Sequence, residues 1–375
     1  MSTRASARQI PLSRPFFDER EEELVLEVLR SGRLSLGPTT ARFERLFAER
    51  LGAGHAAAVS SGTAGLHLCV RLAGVGPGDE VVTSPFSFVA SANCAMYEGA
   101  VPVFADVDPR TLDLDPAAVE AAVTERTRAV VAVDIFGYPC ELDELRAICD
   151  RHGLALIEDA CEALGAAYKG RPLGSHGHFA TFAFYPNKQM TTGEGGMVVT
   201  GDPEQWRLLK SLSNQGRADS GGWLEHARFG FNYRLDDIAA AIGIAQLEKL
   251  DHLLELRSQV AARYAELLAA VDGAEPLLAD DAEHKRSWFV YPVWLDPAID
   301  RERVIAALEA NGIATSRYLP SIHLQPYMRE RFGFTKGMFP VSEDASRRLL
   351  ALPFYSALEA EDQERVVEAL RAAVS

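Results

Sequence analysis

The segment LALIEDACEALGAAYKGRPLGSHGHFATFAFYPNKQMTTGEGGMVVT, residues 154–200, places an acid, Asp159, at the end of one apolar run and an amine, Lys188, in a turn after another, 29 residues on. The Gly-rich run Gly193-Glu194-Gly195-Gly196 follows. If the apolar runs are strands of an open α/β sheet, ligands bind at their carboxyl ends and both side chains project into one crevice. A carboxylate and an amine in such a crevice suit pyridoxal phosphate (PLP): the aldehyde takes a lysine as a Schiff base, and a fixed acid keeps the ring nitrogen protonated so that the ring withdraws electrons. The phosphate needs a third element, which Ser60-Ser61-Gly62-Thr63-Ala64-Gly65 provides between an apolar run and an amphipathic stretch. Small residues let backbone N–H groups approach an anion, hydroxyls add donors, and a helix N-terminus favours negative charge. Each signal alone has an ordinary reading, as a tight turn with an N-cap, a solvated lysine or a capping aspartate. Their occurrence together in this order points to the cofactor.

The elements that must position these residues are legible as a pattern. HAAAV (55–59), EVVTS (80–84), VPVFAD (101–106), RAVVAVD (128–134), LALIED (154–159), ATFAF (180–184) and GMVVT (196–200) read as strands, several of them apolar throughout, as strands covered on both faces are. Amphipathic stretches between them read as crossover helices, one opening at Asp115-Pro116. The fold class expected is α/β, a mostly parallel seven-stranded sheet in a large domain with a smaller α+β C-terminal domain. Residues 18–32 and 39–52 read as two helices preceding the sheet, and 235–271 as one long helical pattern. WFVYPVWL (288–295), a helix from Asp300 to Asn311 and a final helix EDQERVVEALRAAV build the small domain. The expected division is 1–250 for the large PLP-binding domain with its N-terminal helices, and 251–375 for the small one.

The whole-chain numbers exclude other classes. At 375 residues, 47% hydrophobic and 24% charged, the chain is globular. With 38 basic and 53 acidic residues its net charge is −15, and no Lys/Arg run gathers a basic patch, so a nucleic-acid or anionic-membrane partner is not expected. The N-terminus lacks the apolar stretch of a signal peptide and no segment approaches a membrane span, which reads as a cytoplasmic protein. The five cysteines, Cys69, Cys94, Cys140, Cys149 and Cys161, show neither a CxxC pair nor metal spacing and read as reduced buried thiols, with Cys161 nearest the chemistry. No metal site is expected.

The segments SSGTAGLHL, PFSFVASANCAMYEGAVPVFADVD, IEDACEALGAAYKGRPLGSHGHFATFAFYPNKQMTTGEGG, FGFNYRLDDIAAAIGIAQLEKL and YLPSIHLQPYMRE closely resemble the DegT-type sugar aminotransferase family of fold type I PLP enzymes, over about residues 9–372. The resemblance implies that Lys188 is the Schiff-base lysine and proton carrier and that Asp159 pairs with the pyridinium nitrogen. It implies that Gly62, Thr63 and Ala64 hold the phosphate, that Phe88 stacks on the ring, and that Glu162 lies near the cofactor's hydroxyl; plain core packing is the competing reading for Phe88, and a solvated helix-face carboxylate that for Glu162. Asn232 in FGFNYR matches a residue that reaches the phosphate of the neighbouring subunit, which implies a homodimer with shared active sites. Ala183 stands where many relatives carry a phosphate-touching Ser, a loss of roughly 1–3 kcal/mol if nothing replaces that bond.

Relatives that dehydrate the sugar carry His at the position of Lys188, so the lysine argues for transamination. The resemblance then implies transfer from L-glutamate to a nucleotide-linked keto-sugar, and the GEGG and YLPSIHLQPY segments look most like the perosamine-synthase-like makers of 4-amino sugars. His323, Arg234 and Tyr318 are implied at the substrate, with Arg217, Arg228, Arg317 and Lys336 as further candidates for a diphosphate. Two other readings stay open: a keto-cyclitol as acceptor, and a non-catalytic regulatory relative, against which the retained Lys188 and Asp159 stand.

Overall fold

A computed structural model describes residues 8–176, 179–218 and 225–375 of the chain. The first seven residues, from which the absence of a leader was partly read, lie outside that range. Seven strands form the main sheet: β1 (His55–Val59), β2 (Glu80–Thr83), β3 (Val101–Phe104), β4 (Thr127–Val133), β5 (Ala155–Asp159), β6 (Phe179–Ala183) and β7 (Gly196–Thr200). Their order is β1-β7-β6-β5-β4-β2-β3. From β6 through β5, β4 and β2 to β3 every pairing is parallel, while β7 runs antiparallel to both β1 and β6. The sheet is therefore mostly parallel, as the apolar runs predicted.

Both faces are covered, which is why the strands lack polar alternation. Leu156, Val130 and Val199 face a core with the aromatic cluster Phe43, Phe47, Phe182 and Phe184. The alternate residues Ile157, Val131 and Val198 pack under α3 (Gly62–Leu72) and α4 (Ala90–Tyr97). The first face is closed by α1 (Glu19–Ser31) and α2 (Pro38–Leu51), each ended by a glycine in the left-handed conformation, Gly32 and Gly52.

A three-stranded antiparallel sheet, Ala274–Pro276, Tyr291–Leu295 and Leu349–Leu352, carries a second core with Tyr264, Val293, Leu350 and Val366. Two details depart from the expected layout. The helical pattern of 235–271 is broken at Lys249 into Asp237–Glu248 and Leu250–Leu268, and the Lys249 ammonium binds Asp18 at 2.5 Å and Glu21 at 2.9 Å, so the break is anchored to α1. Also, Ile10 pairs with Ile313 and Leu12 accepts from the Phe354 N–H, so the first described residues are hydrogen-bonded to segments of the C-terminal part of the chain. We propose that the division between the large and the small unit lies at the Lys249 break. No helix among the described residues is long and apolar enough to cross a membrane.

Candidate active site

Parallel register brings the carboxyl ends of β4, β5 and β6 level: Asp159 lies opposite Val133 on one side and Thr181 on the other. Above this edge opens a cleft of about 640 Å³, walled on its far side by residues of the small unit. Asp159 is buried beneath it. One carboxylate oxygen accepts from Ser91 Oγ at 2.8 Å and the other from the Cys161 N–H at 3.3 Å, and among the described residues no cation pairs with it. A buried carboxylate held only by neutral donors is short of one positive partner.

Lys188 enters the same cleft from the turn after β6, where its N–H donates to the Tyr185 carbonyl at 2.9 Å. Its Nζ lies 3.5 Å from Glu162 Oε1 and 3.8 Å from the centre of the Phe289 ring. Glu162 is 7% exposed, so it is not a solvated helix-face carboxylate. Its second oxygen accepts from the Phe136 N–H at 3.0 Å. Burial raises the Glu162 pKa, and the Lys188 charge opposes that rise. Lysine and glutamate thus form a largely buried ion pair.

The Ser61-Gly62-Thr63 turn is where β1 meets α3. Ser61 caps the helix, accepting from the Ala64 N–H at 3.1 Å, so that backbone donor is spent, and Ala64 packs into the core instead of lining the cleft. The expectation that Ala64 faces an anion is corrected on this ground; Ser61 takes its place at the cleft wall. Gly62 is required for contact: a Cβ there would lie 2.8 Å from both Ala183 Cβ and Cys161 Sγ. Ala183 and Cys161 both line the cleft beside it, and burial pushes the Cys161 thiol pKa well up. All five cysteines are free thiols.

The remaining candidates divide. Phe88 lines the cleft and is 59% exposed, which excludes core packing. Tyr318 reaches in from the small unit and accepts from Asn187 Nδ2 at 3.2 Å; burial raises its pKa. Arg317 lines the cleft as well, with its Nε 2.8 Å from Glu302. His323 does not: it is fully buried among Phe104, Phe334 and Phe339 with Nε2 3.1 Å from Glu343, and burial lowers its pKa. It is a core histidine with Nε2 paired and Nδ1 unpartnered, and it lies outside the cleft where the substrate role was expected. Arg234 is also outside the cleft, donating to Asn214 and Gln215 at 3.0 and 3.2 Å. Arg217, Arg228 and Lys336 line no part of it. Asn232 is exposed and lies outside its own chain's cleft.

Sequence reasoning missed Ser91 and Phe289. Ser91 had a signal, since Ser87 and Ser91 are four apart around Phe88 and their hydroxyls meet at 2.7 Å. Phe289 had none, being one apolar residue in a run of them.

The DegT/DnrJ/EryC1/StrS aminotransferase family model matches residues 15–371. The chain belongs to this family. The sugar aminotransferase is 38% identical to the spore coat polysaccharide biosynthesis protein SpsC of Bacillus subtilis (strain 168), over 96% of each chain. Among solved structures it is similar to DesV of S. venezuelae in complex with a ketimine intermediate, at 35% identity and a TM-score of 0.91, covering 98% of this chain and 99% of that one. It is also similar to Spr1654 of Streptococcus pneumoniae in its PLP form, at 27% identity and a TM-score of 0.93, over 98% and 99%. Members of this family are PLP-dependent sugar aminotransferases, and so is this chain. The residues present fit that cofactor. A buried carboxylate lacking a cation, an amine across the cleft from it, and a glycine cradle at a helix N-terminus match the ring nitrogen, aldehyde and phosphate of PLP in chemistry.

Proposed function

We propose that this enzyme transfers an amino group from L-glutamate to a nucleotide-linked 4-keto sugar. The observation that carries the reading is one cleft holding Lys188, Asp159 and the Ser61-Gly62-Thr63 turn together. In this reading Lys188 anchors the cofactor, Asp159 holds its ring nitrogen, Phe88 covers the ring, and Gly62, Thr63 and the α3 N-terminus take the phosphate, with Asn232 of a second copy completing the site. Bound PLP supplies an electron-withdrawing ring that stabilises negative charge on a substrate carbon.

The chain supplies the rest. Asp159 is held in place by the Ser91 hydroxyl and the Cys161 N–H, which both donate to it. Lys188 Nζ would move the proton between the substrate carbon and the cofactor, general acid–base work worth about 10²–10⁴-fold. Glu162, with Oε1 3.5 Å from the amine, pairs with it and helps to orient it. The buried Phe289 ring, 3.8 Å from Nζ, shields one side of that exchange from water. Arg317, in the cleft wall, is the cation placed to meet a diphosphate. The likeness to SpsC, whose name places it in polysaccharide biosynthesis, supports an activated sugar over a cyclitol.

Two experiments test this. The purified enzyme is expected to show the visible absorption of lysine-bound PLP, and Lys188→Ala is expected to lose both that band and all transamination; an unchanged band in the variant sinks the assignment. Incubation with L-glutamate and a panel of nucleotide-linked 3-keto and 4-keto sugars, read by mass spectrometry, is expected to give a 4-amino product. A 3-amino product, or aminated cyclitol with no sugar product, replaces the substrate reading.

A further inference from the structure

Arg257, on the helix Leu250–Leu268, is 4% exposed, and no carboxylate pairs with it among the described residues. Burial is the sole influence on its pKa and draws it down to about 10, so it remains a cation at neutral pH. The hydrogen bonds it makes all go to main-chain carbonyls. Nη2 donates to Lys188 O at 2.9 Å and to Asn187 O at 3.5 Å, and Nη1 to Phe289 O at 3.1 Å and Trp288 O at 3.4 Å. Nε has no partner, and the guanidinium lies 5.5 Å from the centre of the Phe354 ring.

A buried guanidinium without a counter-ion is costly, and ordinary packing could fill the space with an apolar chain. What distinguishes this one is the pair of segments that it joins. One carries the lysine and the other carries Phe289, the ring on which the lysine amine rests at 3.8 Å. Gln189 makes a parallel tie, donating to Glu162 O at 2.6 Å and to Ser287 O at 3.0 Å. The lysine turn is thereby fixed to residues 287–289 on one side and to Glu162 on the other. Arginine suits this task because its planar fork reaches several carbonyls at once, which a lysine cannot do.

We propose that Arg257 is a positioning residue for Lys188: it fixes the lysine turn against Phe289 and, as a buried cation behind that turn, disfavours a second positive charge on the lysine nitrogen. The titratable groups that line the cleft with Lys188 are Asp159, Cys161, Glu162, Tyr185, Glu194, Arg317 and Tyr318.

The proposal rests on the PLP reading, and its test separates the two. The pH midpoint of the lysine-bound PLP absorption is measured in the wild-type holoenzyme and in Arg257→Met, Arg257→Gln and Arg257→Lys. A wild type without the band overturns the cofactor reading itself. With the band present, Met and Gln, which lack the charge, are expected to raise the midpoint by about one pH unit. Arg257→Lys is expected to keep the midpoint, yet to lose PLP on dilution at least about tenfold faster, because the charge is retained and the fork is not. A midpoint unmoved in the uncharged variants, even with lowered thermal stability, overturns the proposal. Should neither of those fold, Arg257→Lys decides alone, and wild-type retention of PLP in it overturns the proposal.

Discussion

Asp159 is served by a hydroxyl that does no chemistry itself. Ser91 is 1% exposed; its Oγ donates to Asp159 Oδ2 at 2.8 Å and sits 2.7 Å from the buried Ser87 Oγ. Ser91→Ala leaves the buried carboxylate with one hydrogen-bond donor fewer, a loss of about 1–2 kcal/mol. PLP is expected to bind about fivefold to thirtyfold more weakly to that variant, measured by equilibrium titration of the apoenzyme, with the fold intact by circular dichroism. Affinity equal to wild type would show that Ser91 only fills space. At this scale the sequence was most informative where a residue type is chemically scarce. Lys188, Asp159, Gly62 and Phe88 could be found because few other residues do what they do, and the structure sets all four in one cleft. His323 and Ala64 went astray because a histidine's or a small residue's neighbours, here Phe339 with Glu343 and the Ser61 hydroxyl, are tertiary facts that no local pattern carries.

Strand β5 shows how one element serves two faces. Successive side chains point to opposite sides of a strand, so Asp159 looks into the cleft while Glu158 is buried on the reverse, its Oε1 accepting from the Gly174 N–H at 2.7 Å. Burial pushes the Glu158 pKa up to about 7, against an ordinary value of 4.5. The folded protein therefore binds a proton that the unfolded chain releases across that interval, and stability falls as pH rises from about 4.5 to 7. Taken alone, the penalty above pH 7 is roughly 3 kcal/mol. Glu158→Gln cannot ionise and can still accept from Gly174. Its melting temperature is expected to gain on the wild type progressively as pH rises from 5 to 8, and a difference independent of pH would refute the account. Strands such as β5 were readable from their apolar runs, and the helices α1 and α2 from their C-terminal glycines. The break at Lys249 was not, because it depends on Asp18 and Glu21, more than two hundred residues away in sequence.

At the scale of the whole molecule, Asn232 is an expected site residue with nothing in its own cleft to do. Asn232 is exposed and bridges to Asn214 in its own chain, yet it lies outside the cleft that its motif belongs to. In a two-fold dimer each subunit presents the same patch to the other, so a residue that leaves its own site can enter its partner's. If Asn232 acts across such an interface, Lys188→Ala and Asn232→Ala disable different subunits' contributions to a given site. A hybrid dimer of the two variants then contains one site built from the intact Lys188 of one subunit and the intact Asn232 of the other, and a second site lacking both. Random mixing makes about half of the dimers hybrids with one working site of two, so about a quarter of wild-type activity is expected to return when the two inactive variants are unfolded, mixed equally and refolded. Each variant refolded alone supplies the baseline. Mixing that restores nothing above the more active parent, while hybrids are detected by differential tags, would place Asn232 in the service of its own chain and remove the dimer from the mechanism.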